Sequence, residues 1–85
     1  MSPTPEKMEA SLSILIMSIA SSAVMAMGLA PHPQNGEMTK DKNMARFNID
    51  LLLVLQEKTK GNLTGEEAQF LENLINDLQM KYVAI

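Results

Sequence analysis

The chain has 85 residues, of which 46 % are hydrophobic, 4 % aromatic and 20 % charged, with no cysteine, one histidine and a net charge of −3. That length holds one small domain, and such a domain buries only about 60 % of the surface its unfolded chain exposes. With no cysteine for a disulfide and a single histidine for a metal site, oligomerisation is the remedy left for so small a core, and the acidic balance sets up no general positive field for nucleic acid.

Three segments carry a helical pattern, and none alternates apolar and polar residues at strand period. The expected fold class is all-α: three helices, with a C-terminal helical hairpin packed on an apolar N-terminal helix, completed by oligomerisation. One domain spans residues 1–85, with helices at about 5–28, 41–60 and 65–84. Thr4 and Pro5 suit the start of the first helix, as N-cap acceptor and first-turn residue. Gly28 suits its left-handed stop, and Pro31 and Pro33 oppose continuation. Asp41 or Thr39 can cap the second helix, which runs through Phe47 and Leu51-Leu52-Leu53-Val54-Leu55 to about Lys60, where Gly61 ends it. Thr64-Gly65-Glu66-Glu67 has capping-box spacing, with the Thr64 hydroxyl and the Glu67 carboxylate each reaching the other residue's amide. Only Asn62 and Leu63 then separate two helices, which forces a hairpin.

At 100° per residue the third helix gathers Ala68, Leu71, Leu74, Ile75, Leu78, Tyr82 and Ile85 on one stripe and needs one wet face. The second has a wider apolar arc and needs neighbours on two sides. The first has no charged residue from Ala10 to Ala30 and is apolar nearly all round. Two partner helices cannot cover such a cylinder, so a further chain or a bilayer must take the remaining face. Its seam of Leu12, Leu15, Ile16, Ile19, Ala23 and Ala26, with Met8 and Ser22, is the expected oligomer interface, the small residues allowing close backbone approach. The bland alternative is that this seam holds the chain's own second and third helices.

The uncharged stretch is long enough to span a bilayer, but its serines and Gly28 dilute it, and neither aromatic residues nor a Lys/Arg cluster mark an interface. Glu6, Lys7 and Glu9 do not make the positive start of a signal peptide. The expectation is therefore a cytoplasmic protein that does not enter a membrane.

No cluster of chemistry-bearing residues emerges. His32 lies between two prolines with no second histidine or cysteine nearby, and the serines of the first helix have no base within local reach. Lys58-Thr59-Lys60-Gly61-Asn62 follows a helix end rather than joining a strand to a helix, so it is a stop and not a phosphate loop. Lys40, Lys42 and Arg46 are interrupted by Asp41 and lack an aromatic platform for bases. Arg46 and Asp50 can pair one turn apart, worth about 0.2–0.5 kcal/mol. Asn48 projects into the apolar arc of the second helix, where an unpaired amide costs about 1–3 kcal/mol. A symmetric Asn48 pair or a bond to the serines of the first helix would fix register; a rim position touching water is the alternative. The expectation is no enzyme, no cofactor and no metal. The partner is a second copy of the chain, and an adaptor for a different protein is the competing reading, with eight methionines to supply adaptable apolar contacts.

The second half also carries a resemblance. Ile49-Asp50-Leu51-Leu52, Leu55, the run Lys58-Thr59-Lys60-Gly61-Asn62-Leu63-Thr64, Glu66-Glu67, Leu71, Leu74, Leu78 and Tyr82-Val83 resemble a bacterial domain-of-unknown-function family of short helical proteins with a KTKGNLT turn. The Ser- and Ala-rich first helix fits as well. The resemblance implies a soluble bacterial protein, and it supplies no catalytic or binding residues.

Overall fold

In the computed structural model, which describes residues 11–32 and 35–85, the first helix, α1 (Leu12–Ala26), opens at Ser11. Ser11 is extended, with φ −147° and ψ 161°, and its hydroxyl accepts the amide of Ile14 at 3.2 Å. A helix cannot run through an extended residue, so the expected span from residue 5 is corrected to a start at Leu12. Thr4, Pro5, Met8 and Pro33 lie outside the described residues.

The other end of α1 closes on hydrogen bonds that leave few carbonyls unpaired. Gly28 N–H donates to Met25 O at 3.0 Å and Leu29 N–H to Val24 O at 3.1 Å, the paired bonds of a Schellman motif. Gly28 sits at φ 78°, and a Cβ there would lie 3.3 Å from the carbonyl oxygen of Thr39. The left-handed backbone and the tight neighbour both favour glycine. The helix itself stops at Ala26 rather than 28, because the motif needs Met27 as cap and Gly28 outside it.

The connection returns directly to α1. Asp41 N–H donates to Ala26 O at 2.7 Å, while the Asp41 carboxylate accepts the amide of Met44 at 3.1 Å. Asp41, not Thr39, is thus the N-cap of α2 (Lys42–Lys58), and one residue ties the start of α2 to the end of α1. Thr59 caps the far end of α2, its hydroxyl donating to Leu55 O at 2.7 Å. Gly61 then takes φ 87° in the turn to α3 (Gly65–Ala84). There the Thr64 hydroxyl accepts the Glu67 amide at 3.1 Å and the Glu67 carboxylate accepts the Thr64 amide at 2.9 Å, completing a capping box. Lys42 at the start of α2 lies 6.0 Å from the Tyr82 ring near the end of α3, so the two helices run antiparallel.

The core takes Ile16, Ala20, Ala23, Ala26 and Met27 from the first helix and its cap, Ala45, Ile49 and Leu52 from α2, and Leu71, Ile75 and Leu78 from α3. Alanines supply three of the five core residues from the first helix and its cap, and one of the three from α2, and small side chains at a helix contact allow close backbone approach. The hairpin packs on α1 chiefly through α2, and α1 touches α3 only slightly. The central position therefore belongs to α2 and not to the apolar first helix. The molecule is flattened, 37 × 34 × 16 Å, and no strand occurs among the described residues.

Gly28→Ala should lower stability by about 1–2 kcal/mol, the cost of a left-handed non-glycine residue. Gly65→Ala, at a helical position with open space around the new methyl, should be neutral or stabilising by up to about 1 kcal/mol. Urea unfolding of the two variants against the parent measures both.

Candidate functional site

Helical packing leaves one broad apolar surface uncovered. On α2, Met44, Phe47, Leu51 and Val54 follow steps of three, four and three residues, so they share one stripe, roughly opposite Ala45, Ile49 and Leu52 in the core. Phe47 is 54 % exposed, Val54 52 %, Met44 50 % and Leu51 36 %. Side chains of this size at this spacing ordinarily line a helix–helix contact. On α1, Ile14, Leu15 and Met17 are each about half exposed.

The seam expected to join two copies is placed differently. Ile16, Ala23 and Ala26 are buried in the protomer's own core, and Leu12 and Ile19 pack partly against it. Of the six seam residues only Leu15 is exposed. The bland alternative therefore holds for most of the seam, because α2 docks on the small-residue face of α1. Surplus apolar surface lies along the outer side of α2, with Ile14, Leu15 and Met17 also open on α1 and Met80 and Val83 on α3.

Beside the stripe, a cleft of about 410 Å³ runs between α1, the connecting loop and α2, lined among others by Ser22, His32, Asp41, Phe47 and Asn48. Its polar groups are turned to their own backbone. Ser18 Oγ donates to Ile14 O at 2.9 Å and Ser22 Oγ to Ser18 O at 3.2 Å, and Asp41 is engaged as a cap. Asn48, 8 % exposed, donates from Nδ2 to Met44 O at 2.9 Å. The bond expected from Asn48 to the serines of α1 is therefore absent: a short amide in mid-helix reaches the carbonyl one turn back more easily than a neighbouring helix. His32 holds its loop through the backbone, its N–H donating to Glu37 O at 2.9 Å and its carbonyl accepting from Gly36 at 2.8 Å.

A second cleft of about 460 Å³ between α1 and α3 is more apolar, with Met17, Val24, Pro31 and Leu74 in its walls. A third, of about 610 Å³, lies at the hairpin end between Leu53, Lys60, Leu63 and Glu72. Gly61, Thr64 and Glu67 shape that end as turn and cap. Among the described residues no group of three His, Asp or Glu side chains is placed to hold a metal. In the basic cluster, Lys42 lies against Tyr82, and Arg46 sits 4.0 Å from Asp50, both well exposed. A pair so placed contributes little to stability.

Among the described residues no helix is long and apolar enough to cross a membrane. The fifteen residues of α1 reach about 22 Å at 1.5 Å per residue, short of a hydrocarbon core of about 30 Å.

Asn48→Ala should cost under about 1.5 kcal/mol, since it removes one local hydrogen bond. Leu52→Ala, which empties a fully buried site, should cost about 2–5 kcal/mol. Parallel thermal melts of the two variants distinguish an amide bonded only to its own helix from one that anchors the core.

A family model described as "Domain of unknown function (DUF1844)" matches residues 9–84, nearly the whole chain, and the chain belongs to that family. No curated protein and no solved structure is found to match it.

Proposed function

We propose that this member of the DUF1844 family is a self-associating helical module with a structural or protein-interaction role, and that a second copy covers the outer stripe of α2. The reading includes a bacterial, cytoplasmic setting and a KTKGNLT turn shared with relatives; the likeness of the second half of the sequence to short bacterial helical proteins supports the bacterial origin and the turn. It includes no catalytic step.

The observation that carries it is the stripe itself. A large apolar side chain presents about 200 Å² when fully exposed, so Met44, Phe47, Leu51 and Val54, each a third to a half open, present about 350–400 Å². A standard interface buries about 800 Å² per partner, roughly 60 % of it apolar, so the stripe supplies most of the apolar area such an interface needs. A contiguous apolar patch of this size is typical of the largest patch on a monomer, which is often a functional surface. A second copy is the partner every molecule of this protein meets, and the stripe has the three-and-four spacing that an identical helix can interlock with.

Light scattering coupled to size exclusion at micromolar concentration should give a defined multiple of the chain mass. Phe47→Ala should raise the dissociation constant tenfold or more, about 1.4 kcal/mol, as expected for an aromatic anchor. It should leave the helical circular dichroism intact, because Phe47 does not contribute to the protomer core. A monodisperse folded monomer would instead favour an adaptor for a different protein, and a requirement for detergent would favour a lipid partner.

A further inference from the structure

Resting on the reading that two copies meet through α2, we infer that they meet antiparallel, about a two-fold axis midway between Phe47 and Leu51. Phe47 of each copy then packs on Leu51 of the other, and Met44 on Val54. The four stripe residues form four layers, symmetric in pairs, with no residue left over. In a parallel pairing, identical residues share layers instead: two Phe47 rings crowd one level while two small Val54 side chains leave another underfilled, and native packing density tolerates neither.

Charge favours the same direction. Lys58 continues the stripe at the C-terminal end of α2, and the Asp41 carboxylate caps the N-terminal end. Antiparallel copies bring each Lys58 to the end that bears Asp41 and oppose the two helix dipoles. Lys40 precedes Asp41 at that end, so the gain there is small. Parallel copies set Lys58 beside Lys58 and align the dipoles. The antiparallel arrangement creates like-charge approaches at two places: Lys58 comes level with Lys40 of the other copy, and near the axis the two Asp50 side chains meet. Each of these has its own Arg46 one turn away at 4.0 Å, which offsets the repulsion.

The axis also accounts for Asn48. On the side of α2 that faces the α1 cleft, the two Asn48 amides come to lie next to one another. Each spends one Nδ2 proton on Met44 O and keeps its second proton and Oδ1 for its twin, which pins the register as a buried amide does in a coiled coil. On the same side each α1 presents Ser22 to the shared cleft. Ser18 and Ser22 are already bonded to their own helix, so the two α1 helices can approach closely above the α2 pair, giving a four-helix assembly.

The chain has no cysteine, so single introduced thiols report the geometry without background. Asp50→Cys, Asn43→Cys and Glu57→Cys each alter an exposed position beside the stripe. Each purified variant, checked for parental helicity and for its mass by light scattering, is treated with a short bismaleimide. Asp50→Cys should cross-link to itself. Asn43→Cys and Glu57→Cys should each fail alone and cross-link when the two are mixed. Self-cross-linking of Asn43→Cys or Glu57→Cys, or failure of Asp50→Cys in a sample of dimeric mass, overturns the antiparallel arrangement while leaving self-association in place. A monomeric scattering mass for all three variants and the parent overturns self-association itself, and the arrangement with it.

Discussion

Close approach of α1 and α2 through alanines is the constraint from which the rest follows. Ala23 and Ala26 on one helix and Ala45 on the other are all buried, and small side chains let two backbones come together along a narrow strip. A narrow strip covers little of either helix. The large side chains of α1 and α2 that lie off the strip, Leu15, Met17, Phe47 and Val54 among them, remain open to solvent. Bigger residues at the contact would hold the helices further apart and let neighbouring side chains tuck between them. The exposed stripe is thus a consequence of how the core is built and not an independent feature.

The two connections enforce that arrangement. The Schellman motif at Met27–Leu29 turns the chain sharply out of α1, and the bond from Asp41 N–H to Ala26 O fixes where α2 begins. Because Asp41 also caps α2, the position and the helical start of α2 are set by one residue. At the other end, the capping box of Thr64 and Glu67 starts α3 immediately after a short turn, so α3 must fold back along α2. These two tight connections place α2 between its neighbours and leave α1 and α3 with the smallest contact of the three helix pairs. The flattened shape that results has a middle helix supported along its edges and bare on its outer side.

Polar groups follow a common rule in this molecule: they satisfy themselves locally. Ser18, Ser22, Asn48 and Thr59 each donate to a carbonyl one turn earlier in the same helix, and no fully buried side-chain nitrogen or oxygen among the described residues lacks a partner. Side chains occupied in this way contribute little to specificity between helices within the protomer.

Local chemistry was readable from the sequence because it depends on residues a few positions apart. The left-handed Gly28, the Thr64–Glu67 box and the pairing of Arg46 with Asp50 are all decided within one turn, whereas the choice of Asp41 over Thr39 as the cap of α2 came from the structure. The all-helical class follows equally from periodicity. The break at Ser11, where extended backbone opens α1, was not visible in the periodicity, because the uncharged apolar pattern runs on through it. What only the tertiary structure decided is which apolar face goes inward. A helix without charges, such as α1, offers every direction to a partner, and the wide arc of α2 offers several. Three-and-four spacing therefore identified a seam in α1 but could not tell a core from an interface. The choice was made by the length and bonding of the connection from Ala26 to Asp41, which brings α2 onto the alanine side of α1, buries Ile16 and Ala23, and turns Phe47 and Val54 outward.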